Sequence, residues 1–252
     1  MPIILKNEDA IKKIAIAGNI IYEIFCHISK LELTGKTTEE LDKIIEAMIQ
    51  RRNAIPTFLN YRGFPKNSCI SINDEIVHGI PGPRVIKEHD IVKLDVGVTY
   101  QGYIADAART FPAGEMKKET KKLLSVTKEA LGCGITMAKA GNKISDISRA
   151  IQQTVETNGF SVVRELTGHG VGKQLHEEPM IPNFICEGPK PEIKKGMVLA
   201  IEPMVNMGGF EVKTAANNWT ISTKDGSLSC HYEDTIAILE KGNINLTRVV
   251  ES

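Results

Sequence analysis

Five residues in this chain carry chemistry in surroundings that give them no ordinary partner. Asp95 lies inside the run Ile91-Val-Lys-Leu-Asp-Val-Gly-Val, and Asp106 inside Gly102-Tyr-Ile-Ala-Asp-Ala-Ala-Arg-Thr-Phe. Glu202 closes the apolar run Gly196-Met-Val-Leu-Ala-Ile-Glu-Pro, and Glu233 opens another within Ser229-Cys-His-Tyr-Glu-Asp-Thr-Ile-Ala-Ile. His169 stands among glycines in Thr167-Gly-His-Gly-Val-Gly, where the backbone allows close approach and the ring is uncrowded. Any one of them alone reads as a surface acid or a satisfied core histidine. Together they point to a shared cation, because a carboxylate in apolar surroundings needs a partner. One imidazole and four carboxylates form a hard, oxygen-rich donor set. It suits Mn, Fe, Co or Zn in a two-metal arrangement and lacks the thiolates of a structural zinc site. Bridging carboxylates would hold two divalent ions ~3.5–4 Å apart, the separation that activates a shared water.

The elements that must position these groups can be read from the same runs. Along Ile91–Val98, Val92, Leu94, Val96 and Val98 share one face and suit a core, while Lys93, Asp95 and Gly97 share the other. A two-residue turn at Gln101-Gly102 predicts that paired residues have numbers summing to 203. Asp95 and Asp106 then lie diagonally on one face, roughly 7–8 Å apart by backbone position. Facing carboxylates repel unless a cation or proton lies between them. Two further histidines are candidates for polarising a carbonyl or protonating an amine: His78 in Ile76-Val-His-Gly-Ile-Pro and His176 in Leu175-His-Glu-Glu-Pro. His27 falls within a helical pattern and reads as an ordinary helix residue.

Two helices are expected in the first ~50 residues. The first is capped near Asn7 or Asp9, and the second follows a Thr37-x-x-Glu40 capping box. Strands and turns follow from Phe58 to about Phe111, then helices at roughly Lys117–Ala138 and Ile144–Thr157, stopped by Asn158-Gly159. The remainder is β-rich again, with turns at Gly208-Gly209 and Asp225-Gly226. The order helix, helix, strands occurs twice, so the reading is one α+β catalytic domain over 1–252, built of two halves at about 1–115 and 116–252.

Composition excludes several classes. Thirty-one basic and 31 acidic residues cancel, which gives no reason for general nucleic-acid or membrane binding. The apolar start Met1–Leu5 is too short for a signal-peptide core, and no run approaches the ~18 apolar residues of a membrane span. Cys26, Cys69, Cys133, Cys186 and Cys230 are scattered and never form a C-x-x-C pair, so neither a disulfide framework nor a zinc knuckle is indicated. A cytoplasmic monomer is the expectation.

At this level the sequence resembles the methionine aminopeptidases of the short type I form. The resemblance rests on Asn60-Tyr-Arg-Gly-Phe-Pro-Lys-Asn-Ser-Cys-Ile-Ser-Ile-Asn, Val77-His-Gly-Ile-Pro, Lys93-Leu-Asp-Val-Gly and Gly102-Tyr-Ile-Ala-Asp-Ala-Ala-Arg-Thr-Phe. Thr167-Gly-His-Gly-Val-Gly, His176-Glu-Glu-Pro and Ala200-Ile-Glu-Pro continue it, in order, over nearly the whole chain. It implies a pita-bread fold of two pseudo-symmetric halves around a dinuclear metal site. Asp106 and Glu233 would bridge the metals, with Asp95 on one and His169 with Glu202 on the other. A bridging water or hydroxide would attack the first peptide carbonyl, Glu202 taking its proton. His176 would stabilise the carbonyl oxygen and His78 would sit near the scissile amide. Phe58, Tyr61, Phe64, Cys69 and Trp219 would wall the methionine pocket, with Leu175 beside His176 where an aromatic is expected and Phe58 where a smaller residue is expected. The implied substrates are nascent polypeptides beginning with Met and carrying a small second residue, the chain's own Met1-Pro2 start among them. Nascent substrates imply the ribosome as a partner, although no basic stretch marks a docking site. The rivals are a prolidase-like exopeptidase on the same fold and a fold relative that has lost catalysis.

Overall fold

The computed structural model describes residues 2–248, so Met1 of the Met1-Pro2 start lies outside the described residues. Helix α1 (Glu8–Ile28) begins where the Asn7 side chain accepts the Ala10 N–H, and its first turn carries Glu8 and Asp9. Helix α2 (Thr38–Gln50) begins at the expected capping box, with Thr37 and Glu40 satisfying each other's backbone N–H groups. Helices α3 (Lys118–Met137) and α4 (Ile144–Thr157) pack on each other, within a residue of the expected bounds. Gly159, at φ +84°, supplies the left-handed residue that turns the chain after α4.

Two sheets hold the site. In the first, strand Ile91–Tyr100 pairs along one edge with Tyr103–Pro112 and along the other with Cys69–Ile72 and Ile55–Pro56. The hairpin turns at Gln101 (φ +48°) and Gly102 (φ +78°), and the register Tyr100↔Tyr103 obeys the expected sum of 203. Asp95 therefore pairs with Ala108, and Gly97 with Asp106, which leaves the two aspartates diagonal on one face. The second sheet runs in the order Asn243–Asn245, Asp234–Ile238, Val198–Ile201, Thr167–Gly170, Glu177–Pro182, all antiparallel. The two sheets are joined at the bridge Ala108↔Glu233, where each residue's N–H donates to the other's carbonyl.

Both faces of the Asp95 strand are largely buried, because α1 covers the valine face and the strands Glu75–Val77 and Ser229–His231 pack against it from other sheets. Lys93 is the consequence. Alternation places it on the Asp95 face, where it is fully buried and donates Nζ–H to the carbonyls of Asn73 (2.6 Å) and Ser229 (3.0 Å). Burial pulls its pKa down to about 7. One apolar core lies under α1 and α2 and reaches Val198, Ala200 and Ala237 of the second sheet; another lies between that sheet and α3 and α4. No described helix is long and apolar enough to cross a membrane.

Candidate metal centre

The bridge between the sheets is where the carboxylates converge. Asp106 and Glu233 stand on adjoining strands, and Thr235 locks the Asp106 backbone by accepting its N–H at 3.0 Å and donating to its carbonyl at 2.7 Å. His169 reaches them from the glycine-lined strand Thr167–Gly170. A Cβ at Gly168 would fall 2.5 Å from the Ala200 carbonyl oxygen, and one at Gly170 would strike the Glu178 carbonyl, so only glycines let this strand lie so close. The His169 Nδ1–H donates to the Gly170 carbonyl at 2.9 Å, which leaves Nε2 as the free donor atom of a neutral ring. That Nε2 lies 3.6 Å from Glu202 Oε1 and 3.9 Å from Asp106 Oδ2. Asp106, His169 and Glu233 each offer a donor atom within 4.8 Å of the others.

The electrostatics are those of a site built for cations. Asp95, Glu202 and Glu233 have carboxyl pKa values well above the usual range, first through burial and then through the neighbouring carboxylates, Asp106 foremost. Asp106 is pushed up to about 7 by burial, against which the Asp95 hydrogen bond and the Ala107 N–H act. Burial holds His169 down to about 3, with a smaller contribution from His176. Asp95 Oδ1, Asp106 Oδ1 and Glu233 Oε1 are buried with no hydrogen-bond partner. Divalent cations fit this set: they supply the missing partner to those oxygens, and four acids with one neutral imidazole match hard ions of the Mn, Fe, Co or Zn kind.

The same cavity, of about 150 Å³, is lined by all five donors and by every residue expected at the substrate pocket: Phe58, Tyr61, Phe64, Cys69, His78, Leu175, His176 and Trp219. Phe64 and Trp219 meet edge to face with centroids 5.2 Å apart. Phe58 packs against Gly97 so closely that a Cβ there would be 2.6 Å from its Cε1. Tyr61 comes from a short turn entered by Asn60 at φ +65° and passing through Arg62 at φ +50°. Its hydroxyl lies 2.7 Å from His176 Nδ1, and the His176 ring stands edge to face with His169 at 4.4 Å. His78 itself has φ +58°, and burial lowers its pKa to about 4, with His176 contributing.

A model of metallopeptidase family M24 matches residues 12–240. The chain belongs to metallopeptidase family M24. It is 48% identical over 246 residues to a methionine aminopeptidase of Clostridium acetobutylicum, covering 97% of this chain and 98% of the relative. It is 50% identical over 233 residues to methionine aminopeptidase 1 of Bacillus subtilis, covering 92% and 94%. The crystal structure of the Thermotoga maritima methionine aminopeptidase superposes with a TM-score of 0.96 at 40% identity, covering 98% of this chain and all of that one. A Pyrococcus furiosus prolidase shares the fold alone, at a TM-score of 0.78 and 22% identity, with 66% of that chain covered. The fold is thus the α+β pita-bread arrangement, and the chain is a metallopeptidase that takes divalent metal ions.

Four contributors were not singled out from sequence. Arg62 lines the cavity, Thr235 locks Asp106, and the Asn183 side chain donates to the Glu202 carbonyl at 2.9 Å. His231 lies behind Glu202. Only His231 had a readable signal: it is a titratable residue two positions before Glu233.

Proposed function

We propose that the chain removes N-terminal methionine from proteins and peptides, with a preference for a small second residue. The observation that carries this reading is that one cavity brings five metal donors beside an apolar, aromatic-edged pocket. A thioether side chain suits such walls. Asp95, Asp106, His169, Glu202 and Glu233 are the residues that would hold two divalent ions. When bound, those ions supply Lewis acidity and a nucleophile drawn from water at neutral pH.

The chain's own groups do the rest. Methionine enters between Phe58, Tyr61, Phe64, Cys69, Leu175 and Trp219, which sets the first carbonyl against the carboxylates. The Tyr61 hydroxyl lies 2.7 Å from His176 Nδ1; with the hydroxyl as donor, the His176 proton sits on Nε2, where it is available to the developing oxyanion. Lowered pKa values keep His176 and His78 neutral near pH 7, as hydrogen-bond donors that add no charge to the cation site. Glu202 takes the proton of the attacking water and passes it to the departing amine, beside His78. The second residue of the substrate must pass a mouth rimmed by Arg62 and His176, which favours small side chains there.

The two halves act as one domain in this reading, since the first core crosses into the second sheet and both halves supply metal donors. A monomer in the cytoplasm acting on nascent chains, at or near the ribosome, completes the proposal. The test is free amino acid released from Met-Ala-Ser, Leu-Ala-Ser and Met-Leu-Ser by the metal-loaded chain. Cleavage of Met-Ala-Ser alone is the expected result. Equal release from the Leu-Ala-Ser peptide would remove the methionine reading, and equal release from Met-Leu-Ser the small-residue preference.

A further inference from the structure

Glu202 lies between two imidazoles, and only one of them belongs to the donor set. His169 Nε2 stands 3.6 Å from Glu202 Oε1; on the other side His231 Nε2 stands 3.6 Å from Oε2. The His231 side chain is 2% exposed, yet neither of its ring nitrogens has a hydrogen-bond partner. A buried imidazole left with two unused polar atoms is costly and rare, and it calls for a ligand or partner in the working state. Its backbone is not free to carry it elsewhere. Thr110, on the Asp106 strand, donates Oγ1–H to the His231 carbonyl at 2.7 Å and accepts its N–H at 3.1 Å, and the strand pairs His231 with Met204. The ring does not itself line the cavity; it stands behind Glu202, which does.

We propose that His231 is the positioning residue for Glu202: in the metal-loaded chain its Nε2–H donates to Glu202 Oε2 and commits Oε1 to the metal on the His169 side. A contact of 3.6 Å is too long for a hydrogen bond, and closing it to ~2.9 Å takes a shift of about 0.7 Å. A carboxylate is a strong acceptor for a ring N–H, so the pair would close in the metal-loaded chain. Without His231 the carboxylate can rotate, both as a ligand and as the group that takes the proton of the attacking water. Outer partners of this kind are worth 10–100-fold in metal affinity or activity.

This inference rests on the five-donor reading of the site, and its test separates the two. Stripped parent, His231→Gln and His231→Leu are titrated with Mn(II) against a chelating indicator, and melting of each metal-free chain is recorded. His231→Leu is expected to bind Mn(II) 10–100-fold more weakly. Its kcat on Met-Ala-Ser should fall by a similar factor while KM stays within about twofold. His231→Gln, whose amide N–H reaches the same oxygen, is expected to recover most of both. Should His231→Leu fail to fold, His231→Gln and His231→Phe replace it, the first keeping a donor and the second keeping only the bulk. Equal Mn(II) affinity in the parent and in the apolar variant would overturn the proposal. So would a Gln variant as weak as the apolar one at equal melting temperature, or a Co(II) spectrum showing one ligand fewer in the Gln variant, which would make His231 a ligand instead. If the parent binds no Mn(II) at all, it is the donor reading that fails.

Discussion

Asp106 offers a quantitative test, because its burial makes the metal-free chain unstable in a pH-dependent way. Its carboxyl titrates near 7 in the folded chain against 3.8 ordinarily. Between those values the folded chain holds a proton that the unfolded chain has released, so stability falls as pH rises through the window. From pH 5 to pH 8 the loss is about 3 kcal/mol, which for a chain of this size is a melting temperature lower by roughly 6–12 °C. Histidines act the other way: His78, His169 and His231, held at about 4, 3 and 3, let stability rise with pH up to about 6.5. Comparison with Asp106→Asn cancels them. Melting of the metal-free parent and variant by circular dichroism should already favour the variant at pH 5, by about 1.7 kcal/mol, with the gap widening to about pH 7 and levelling off by pH 8. Added Mn(II) should reverse that order in favour of the parent, and its stabilisation of the parent should grow with pH, because binding displaces protons. Parallel melting curves for the two metal-free chains across pH 5–8 would mean that Asp106 is not held protonated by burial.

Three further outcomes follow from named contacts. Tyr61→Phe removes the donor to His176 Nδ1 and frees the ring's tautomer; kcat on Met-Ala-Ser should drop roughly tenfold, as one hydrogen bond of about 1.4 kcal/mol implies, with Mn(II) affinity unchanged. Trp219→Ala takes away the edge-to-face partner of Phe64 and should raise KM about tenfold while kcat stays within roughly threefold, as measured by steady-state kinetics. Gly168→Ala forces a Cβ onto the Ala200 carbonyl and should cost about 1–3 kcal/mol in chemical denaturation, with weaker Mn(II) binding because His169 is carried on the same strand.

The sequence shows most plainly what depends on local periodicity. The Asp95–Asp106 diagonal follows from one turn and the two-residue alternation of strands, and the register Asp95↔Ala108 obeys it. The capping box at Thr37 and Glu40 is equally local. What alternation does not disclose is what covers the far face of a strand. Lys93 shares a face with Asp95, and nothing in its own run shows that Asn73 and Ser229 bring carbonyls to meet it from 20 and 136 residues away. The same holds for Thr235 and Asn183, whose roles arise from contacts between segments far apart in the chain. Phe58 and Leu175, the two departures from the expected pocket, both lie buried in the cavity wall; the backbone of Gly97 leaves room for the larger ring.

These five donors make a metal-dependent methionine-releasing site if titration of Mn(II) into stripped parent and stripped Asp106→Asn, followed by methionine released from Met-Ala-Ser, separates the two. Neither stripped chain should release methionine, release should rise with added metal in the parent, and the variant should release none at any metal concentration. Full release by the metal-restored variant, or by the parent before metal is added, would contradict that reading of the site.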